Sequence, residues 1–304
     1  MHRGIIVIDK PRDYTSHDVI AVLRGIFKMR RIGHSGTLDP MAIGVLPVFL
    51  GEATRCCEFA SGHDKEYVVR FRLGLSTDTG DITGRVIGEK AVRVSQKEVG
   101  EALCSFVGRI SQVPPMYSAV KVDGKRLYEY ARRGVTVERK AREITVYRAE
   151  LINAGETPPE YEARILCSAG TYIRTICTDL GDALGCGAVM TALRRTRSGM
   201  FRIEEALSLQ RVGQLAESGE IERYILAPDT LFMEYPGLRV DSYGETRVRN
   251  GAFVPLSSVE DGPPLKPGGL CRVYAPDGAF LMLGRQKPLF SGGQAIFCEK
   301  NFFC

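Results

Sequence analysis

Residues 65–75 carry the clearest periodic signal in this chain, because apolar and charged side chains alternate along them. One side of the segment has only aromatic and aliphatic residues, namely Tyr67, Val69, Phe71 and Leu73. Arg70 and Arg72 fall on the opposite side, as a period of two residues requires. The segment is therefore predicted to be a strand with one buried face, which needs a sheet and a second layer packed against it.

The other periodic segments mix strands and helices without βαβ regularity. Further strands are predicted over 4–9, about 143–152 and 160–167. Helices are predicted after capping boxes at Thr15–Asp18 and Ser95–Glu98, over 171–184 with Gly185 as the stop, and from Ser208 to Ser218. We therefore expect an α+β protein with a mixed, mainly antiparallel central sheet and flanking helices.

The composition changes near Tyr235, and this change predicts a domain boundary. From Gly251 to Leu270, eight of twenty residues are Gly or Pro, and the apolar runs around them are short and strand-like. We expect one domain over 1–234 and a small all-β domain over 235–304.

Several classes of protein are excluded by composition. With 44% hydrophobic and 25% charged residues, the 304-residue chain is neither disordered, collagen-like nor a coiled coil. No apolar stretch approaches the ~20 residues of a membrane helix, and the N-terminal apolar run is too short for a signal peptide. The nine cysteines form no CxxC pair and the four histidines lie far apart, so no metal site is expected. These features predict a cytoplasmic protein with reduced thiols.

Positive charge is concentrated in one segment. Residues 121–148 hold nine Lys and Arg against four Asp and Glu, which equals the net charge of +5 of the whole chain. A basic block on a neutral background favours a polyanionic partner, although a solvated surface has the same pattern.

Residues 31–54 are typical of a binding loop. Gly33, Gly36 and Gly44 permit tight turns and close backbone approach, and Asp39 is the loop's only acid before Glu52. From local features alone, Asp39 is either a functional carboxylate or the acceptor of an Asx turn.

Six stretches together resemble the TruB family of tRNA pseudouridine synthases. They are KPRDYTSHDV at 10–19, GHSGTLDPMAIGVLPVFLGEAT at 33–54, DKEYVVRFRLGLSTDTGD at 64–81, PPMYSAVKVDGKRLYEYAR at 114–132, GTYIRTICTDLGDALGCGA at 170–188 and LRRTRSG at 193–199. The resemblance covers about residues 4–230, and the remainder resembles the small PUA-type RNA-binding domain of bacterial members. One departure is Asp13, which stands where the family usually has glycine.

The resemblance implies that uridine at position 55 in the T-loop of tRNA is isomerised to pseudouridine by base flipping, without metal or cofactor. It implies tRNA, through its T-arm, as the partner, with no membrane and no obligatory protein partner. A guide-RNA-dependent synthase of the archaeal type is an alternative within the class. A tRNA-binding or tRNA-folding protein with dispensable catalysis is an alternative outside it.

The resemblance also implies roles for individual residues. Asp39 matches the essential aspartate, which acts as nucleophile or as base, and Arg174 matches the arginine that pairs with it. Arg174 lies in the first turn of a predicted helix, where the helix dipole disfavours a cation, so it independently requires an anion, which Asp39 or a phosphate would supply. Three further residues match groups that contact the base, namely Tyr67, Tyr172 and Leu193. Tyr67 is also expected to be catalytic, because the tyrosine that it matches stacks on the flipped base and handles the C5 proton. His34 matches the residue that fills the place of the flipped base.

The basic block corresponds to an RNA-gripping insertion at about 114–148. The residues expected on the RNA backbone are Lys121, Lys125, Arg126, Arg132 and Arg133.

Overall fold

A nine-stranded sheet forms the centre of the N-terminal part, within residues 2–154, 159–290 and 292–303, which the computed structural model describes. The strands up to residue 202, including two separate hairpins, are β1 (Gly4–Lys10), β2 (Ile32–His34), β3 (Ile43–Leu50), β4 (Lys65–Leu73), β5 (Leu75–Thr77), β6 (Val86–Glu89), β7 (Gly108–Gln112), β8 (Lys121–Val122), β9 (Lys125–Arg126), β10 (Arg142–Ala154), β11 (Glu160–Cys167), β12 (Ala188–Ser198) and β13 (Phe201–Arg202).

The order of this sheet is β1-β3-β12-β4-β11-β10-β7, with β2 paired to β3 and β13 to β12. All of its pairs are antiparallel except β3 with β12. That parallel pair is short, placing Arg194 opposite Ile43 and Arg195 opposite Gly44. The predicted mixed, mainly antiparallel sheet is confirmed.

The predicted alternation on β4 is confirmed. Tyr67, Val69, Phe71 and Leu73 are buried in the main core, and the intervening arginines are more exposed. β4 lies between β11 and β12, so the buried face of this strand is at the middle of the sheet.

Six helices flank the sheet in the described part of the chain before residue 235. They are α1 (Ser16–Phe27), α2 (Cys57–Ser61), α3 (Gln96–Cys104), α4 (Leu127–Ala131), α5 (Ile173–Ala183) and α6 (Leu209–Glu217). Both predicted capping boxes are present, at the starts of α1 and α3. α5 begins two residues later than predicted, because Tyr172 is extended and occupies the N-cap position.

A second sheet begins at Gly237, two residues after the predicted boundary, and has the order β15-β19-β18-β17-β14-β16. Its elements are β14 (Gly237–Val240), α7 (Ser242–Arg249), β15 (Val254–Pro255), β16 (Val259–Asp261), β17 (Leu270–Tyr274), β18 (Phe280–Pro288) and β19 (Gln294–Asn301). The sequence did not indicate α7, since only Gly244 and Val248 of this helix are buried and no apolar stripe marks it.

The two sheets share one hydrophobic cluster. Phe280 and Phe302 of the C-terminal part pack with Ile5, Val7 and Phe201 of the N-terminal part. Among the helices of the described residues, none combines the length and hydropathy that a membrane span requires.

Candidate active site

Asp39 lies in the loop between β2 and β3, residues 35–42, which we call the Asp39 loop. Gly36 has a φ of 70° and Gly44 a φ of 106°, conformations that favour glycine. A Cβ on Gly44 would overlap the backbone of Arg195 in the neighbouring strand β12. Of the three glycines predicted to permit close backbone approach, Gly36 and Gly44 are therefore favoured by backbone conformation, and Gly44 is also required by space.

Arg174 meets Asp39 at the start of α5. Its Nε lies 3.0 Å from Asp39 Oδ2, and its Nη1 lies 3.6 Å from Asp81 Oδ2. Nη1 also donates to the carbonyl of Thr79 at 3.2 Å, and Nη2 donates to the carbonyl of Tyr117 at 2.7 Å. All three nitrogens of this buried guanidinium have partners, so Arg174 has a single defined orientation.

The start of α5 is itself fixed by a buried side chain from β7. Gln112 accepts the N–H of Tyr172 at 2.8 Å and donates to the carbonyl of Tyr172 at 3.1 Å. Arg174 follows as the second residue of the helix, where the dipole disfavours a cation by about 0.3–1 kcal/mol. The carboxylates of Asp39 and Asp81 oppose this cost.

The electrostatic environment of Asp39 combines opposing influences. Desolvation in the pocket raises the pKa of Asp39, the Arg174 charge lowers it, and the nearby Asp81 carboxylate raises it. The Asp39 side chain nevertheless keeps 39% of its surface exposed, so a substrate can reach it.

Burial lowers the pKa of Lys10 to about 8, while the Asp39 charge acts in the opposite direction. Lys10 donates to the carbonyls of Pro11, Tyr14 and Pro40, which ties residues 10–14 to the Asp39 loop.

A cavity of about 100 Å³ lies directly against Asp39, and we call it the Asp39 cavity. It is lined by Thr37, Leu38, Asp39, Tyr67, Thr171, Tyr172, Ile173, Arg174 and Leu193. Five of the six residues expected at the base-binding site therefore border one cavity, although they come from four separate segments of the chain. Burial raises the pKa of the Tyr67 phenol and the Arg195 charge opposes this, so the phenol is neutral at ordinary pH.

His34 is the residue of that group that does not border the cavity. It ends β2, and its ring contacts the ring of His17 edge-on at a centroid distance of 5.5 Å. Burial lowers the pKa of His34 to about 4, with the His17 charge acting in the same direction. His17 itself lines a larger cleft of about 880 Å³ that shares Thr37, Leu38, Asp39 and Arg174 with the cavity.

The predicted insertion supplies another part of the lining of this cleft. Arg126, Tyr128 and Arg132 line the cleft, whereas Lys121, Lys125 and Arg133 do not. The two arginines lie near the ring of Tyr128, at 5.8 Å and 5.4 Å from its centroid. Arg126 Nη1 also donates to the Tyr128 hydroxyl at 3.0 Å. Two of the five predicted RNA-contacting cations thus lie along the cleft that leads to Asp39.

Comparison with known proteins gives one consistent result. A TruB family pseudouridylate synthase N-terminal domain matches residues 24–173, and a tRNA pseudouridylate synthase B C-terminal domain matches residues 174–232. A tRNA pseudouridine synthase B from Moorella thermoacetica is 43% identical over 291 residues, covering 95% of each chain. The same enzyme from Clostridium tetani is 39% identical over 284 residues, covering 93% of this chain and 95% of the relative. The chain belongs to the TruB family. It is therefore a pseudouridine-forming isomerase.

Solved structures agree with this family assignment. A Cbf5-Nop10-Gar1 complex contains a chain with a TM-score of 0.73 and 28% identity, and an H/ACA RNP bound to a substrate RNA containing 2′-deoxyuridine contains one with 0.72 and 26%. Each match covers 99% of this chain and 85% of the other. The fold of this TruB-family protein, including its PUA-like C-terminal sheet, is thus shared with a chain of each of these two complexes.

Asp81 was missed by reasoning from sequence. It is buried, and its Oδ1 accepts from the Thr83 N–H at 3.0 Å and from the Thr79 hydroxyl at 3.0 Å, which fixes Oδ2 near Arg174. The signal lay in the Asp-Thr-Gly-Asp sequence at 78–81, where two acids flank a glycine whose φ is 75°. That pattern is also typical of an exposed turn, so burial alone distinguishes Asp81.

Asp13, the departure from the family pattern, adopts the left-handed conformation with a φ of 66°. Its N–H donates to the carbonyl of Pro40 at 2.9 Å, and the residue lines the cleft. The turn that glycine usually makes is therefore kept here by an aspartate, at a backbone cost that Asp tolerates better than most residues.

Within the described ranges, no cluster of three or more His, Cys, Asp or Glu side chains is arranged to hold a metal ion.

Proposed function

We propose that this protein converts the uridine at position 55, in the T-loop of tRNA, into pseudouridine, and that it does so without a guide RNA or a protein partner. The observation that carries the proposal is the convergence of Asp39, Tyr67 and Arg174 on one small cavity, which adjoins a cleft lined by basic side chains. The relatives with about 40% identity are named tRNA pseudouridine synthase B, which supports tRNA as the substrate.

In this proposal the target base leaves its stack to enter the Asp39 cavity. Flipping a nucleotide costs a few kcal/mol, and the enzyme must supply groups that hold the flipped base. In this proposal the Tyr67 ring and the Leu193 side chain hold the uracil ring, and Tyr172 closes the cavity at the start of α5. His34, whose ring packs against the ring of His17 in the cleft lining, fills the space that the base leaves.

Asp39 performs the chemistry in this proposal. The N-glycosidic bond breaks, the uracil rotates within the cavity, and C5 bonds to the sugar. C5 then loses its proton, which Tyr67 handles, and N1 gains one, so no group is permanently lost. Two roles fit the geometry of Asp39: nucleophile toward the sugar or the uracil, or base toward a sugar proton. Both need a carboxylate held in one orientation, which the Arg174 contact at 3.0 Å provides.

The remaining predicted cations grip the RNA. Lys121, Lys125 and Arg133 extend the basic wall beyond the cleft, where they meet phosphates, while Arg126 and Arg132 lead the backbone toward Asp39. We assign residues 1–234 to the catalytic domain and residues 235–304 to a PUA-like RNA-binding domain.

The test is to incubate the purified protein alone with an unmodified tRNA transcript and to map pseudouridine at base resolution. A matched transcript with cytidine at position 55 is the control. We expect one new pseudouridine at position 55 and none in the control. Modification at other positions would contradict the assigned target. Modification that appears only when a guide RNA or a second protein is added would favour the guide-dependent alternative.

A further inference from the structure

Arg195 is the largest fully buried side chain of the described residues, with 1% of its surface exposed. No carboxylate in the described ranges lies within ion-pair distance of it, unlike Arg174. Burying a guanidinium without an acid is costly, and an apolar side chain of similar size usually serves packing better. A buried, unpaired arginine therefore indicates a role beyond filling space.

The hydrogen bonds of Arg195 connect the two ends of the Asp39 loop. Its Nη2 donates to the carbonyl of Gly36 at 2.7 Å, three residues before Asp39. Its Nε donates to the carbonyl of Val45 at 2.7 Å, just beyond the loop in β3. The planar guanidinium therefore fixes the distance between the carbonyls of Gly36 and Val45, which lie on either side of Asp39 in the chain.

The third nitrogen of the guanidinium occupies the space beside Gly36. Nη1 lies 3.1 Å from the point where a Cβ on Gly36 would stand, so any larger residue there would push against the guanidinium. The left-handed φ of 70° at Gly36 and this contact together require glycine, and they fix the loop against Arg195.

The same guanidinium also lies next to Tyr67. Arg195 on β12 stands directly opposite Tyr67 on β4 in the sheet register, and its charge lowers the pKa of the Tyr67 phenol. Lys65 is a second buried basic residue in this region. Its burial lowers its pKa to about 8, and the Arg195 charge acts in the same direction. Lys65 donates only to the carbonyls of Ser61 and His63. The Arg195 guanidinium therefore places a positive charge beside both Tyr67 and the Asp39 loop.

We propose that Arg195 is a positioning residue of the pseudouridine synthase reaction: it joins the Asp39 loop to the Tyr67 strand and fixes the separation of the carboxylate and the phenol across the base. Arg195 touches neither the base nor the sugar in this proposal. The inference rests on the proposed function, since it assigns the reacting groups to Asp39 and Tyr67.

The test compares single-turnover rates of pseudouridine formation at saturating tRNA. We expect Arg195→Met to lower the rate about 100-fold, because a misplacement of about 1 Å costs on that order. The dissociation constant for tRNA should stay within about twofold, since Arg195 is buried and faces no phosphate. Arg195→Lys should recover part of the loss, because an ammonium can reach a carbonyl but lacks the planar fork.

The matched control is Arg194→Met, one residue away. The Arg194 side chain is partly exposed and pairs with Asp9 at 3.5 Å. This variant should retain the wild-type rate.

A double-mutant cycle with Tyr67→Phe distinguishes positioning from general support of the fold. If Arg195 acts through Tyr67, the combined rate loss should be clearly smaller than the product of the two single losses. Should Arg195→Met fail to fold, the same cycle is measured with Arg195→Lys.

Three results overturn the inference: a wild-type rate in Arg195→Met, strictly multiplicative losses in the cycle, or a rate loss matched by an equal loss of tRNA affinity and thermal stability in both Arg195 variants. An inactive wild-type protein on tRNA would instead refute the proposed function.

Discussion

The two walls of the cleft hold their charged side chains in opposite ways. On the side of the cleft built around Asp39, the Asp39 wall, Arg174 is buried and donates to a carboxylate and to carbonyls. Arg195 is buried behind the Asp39 loop and donates to two carbonyls. On the insertion wall, formed by side chains of the insertion at about 114–148, Arg132 is exposed, and so is its neighbour Arg133, which lies outside the cleft. Neither has a carboxylate partner among the described residues. The difference indicates that the Asp39 wall orients the reacting groups, whereas the insertion wall attracts the RNA.

This division has an energetic basis. A buried cation is costly to desolvate, and it is retained only where its geometry is fully satisfied, so it holds its neighbours in place. An exposed cation loses little hydration and can move with a phosphate, but because it is mobile it cannot hold a neighbouring group in one position. The comparison therefore predicts that substitutions on the Asp39 wall change turnover, whereas those on the insertion wall change affinity.

The largest effect is expected for Asp39→Asn. Turnover should fall below detection, because the amide keeps the size of the side chain but can act neither as nucleophile nor as base. Binding of tRNA should be nearly unchanged. Rates measured with excess enzyme and affinities measured by filter binding check both statements. Equal losses of binding and of activity would instead identify Asp39 as a structural residue and remove the distinction between the walls.

Arg174→Met should lower turnover at neutral pH by about 10²–10³-fold, the usual cost of losing one fixed electrostatic contact at a reacting group. It should also shift the acid limb of the pH–rate profile to higher pH. The sign follows from the positive charge of Arg174, which favours the ionised form of Asp39 and so lowers its pKa. Arg174→Lys keeps the charge and is the control, with reduced turnover but a smaller shift. An unshifted limb in Arg174→Met would show that Asp39 is not the group titrating in that profile.

On the insertion wall, Arg132→Ala combined with Arg133→Ala should weaken tRNA binding and leave turnover at saturation close to wild type. Each lost phosphate contact should flatten the slope of log affinity against log salt by about 0.9, so the slope should change by about 1 to 2. Affinity at four or five salt concentrations measures this. Arg211→Ala with Arg223→Ala removes two arginines outside the cleft and serves as the control. Parallel lines for all three proteins would mean that the basic block is only a solvated surface.

The smallest effect, a change in the stability of the fold, is expected for substitutions of Asp13, which lines the cleft. Asp13→Gly should stabilise the protein by about 0.5 kcal/mol, because glycine relieves the left-handed strain while losing some entropy on folding. Asp13→Ala keeps the Cβ without the tolerance of Asp, and it should destabilise by about 1 kcal/mol. Urea unfolding of both variants checks the difference. A destabilised glycine variant would show that the Asp13 carboxylate, which acts on nearby Lys10, outweighs the strain.

The sequence by itself determined the elements whose signals are local. The alternation on β4, the capping boxes of α1 and α3, and the glycine stop of α5 all depend on residues within a few positions of one another. The basic block is likewise a local concentration of charge. The family motifs identified Asp39, Tyr67 and Arg174 together, and the helix position of Arg174 independently required an anion.

Only the tertiary structure decided which charged residues are buried and which partners they have. Asp81 resembles an exposed turn residue in sequence, and Arg195 is one of several arginines in a basic run, yet both are buried beside the reacting groups. His34 borders His17 and not the cavity, and α7 forms without an apolar stripe. The physical reason is that burial depends on strand order and register between distant segments. The short parallel pairing of β3 with β12 brings Gly44 against Arg195, and no local pattern encodes that pairing.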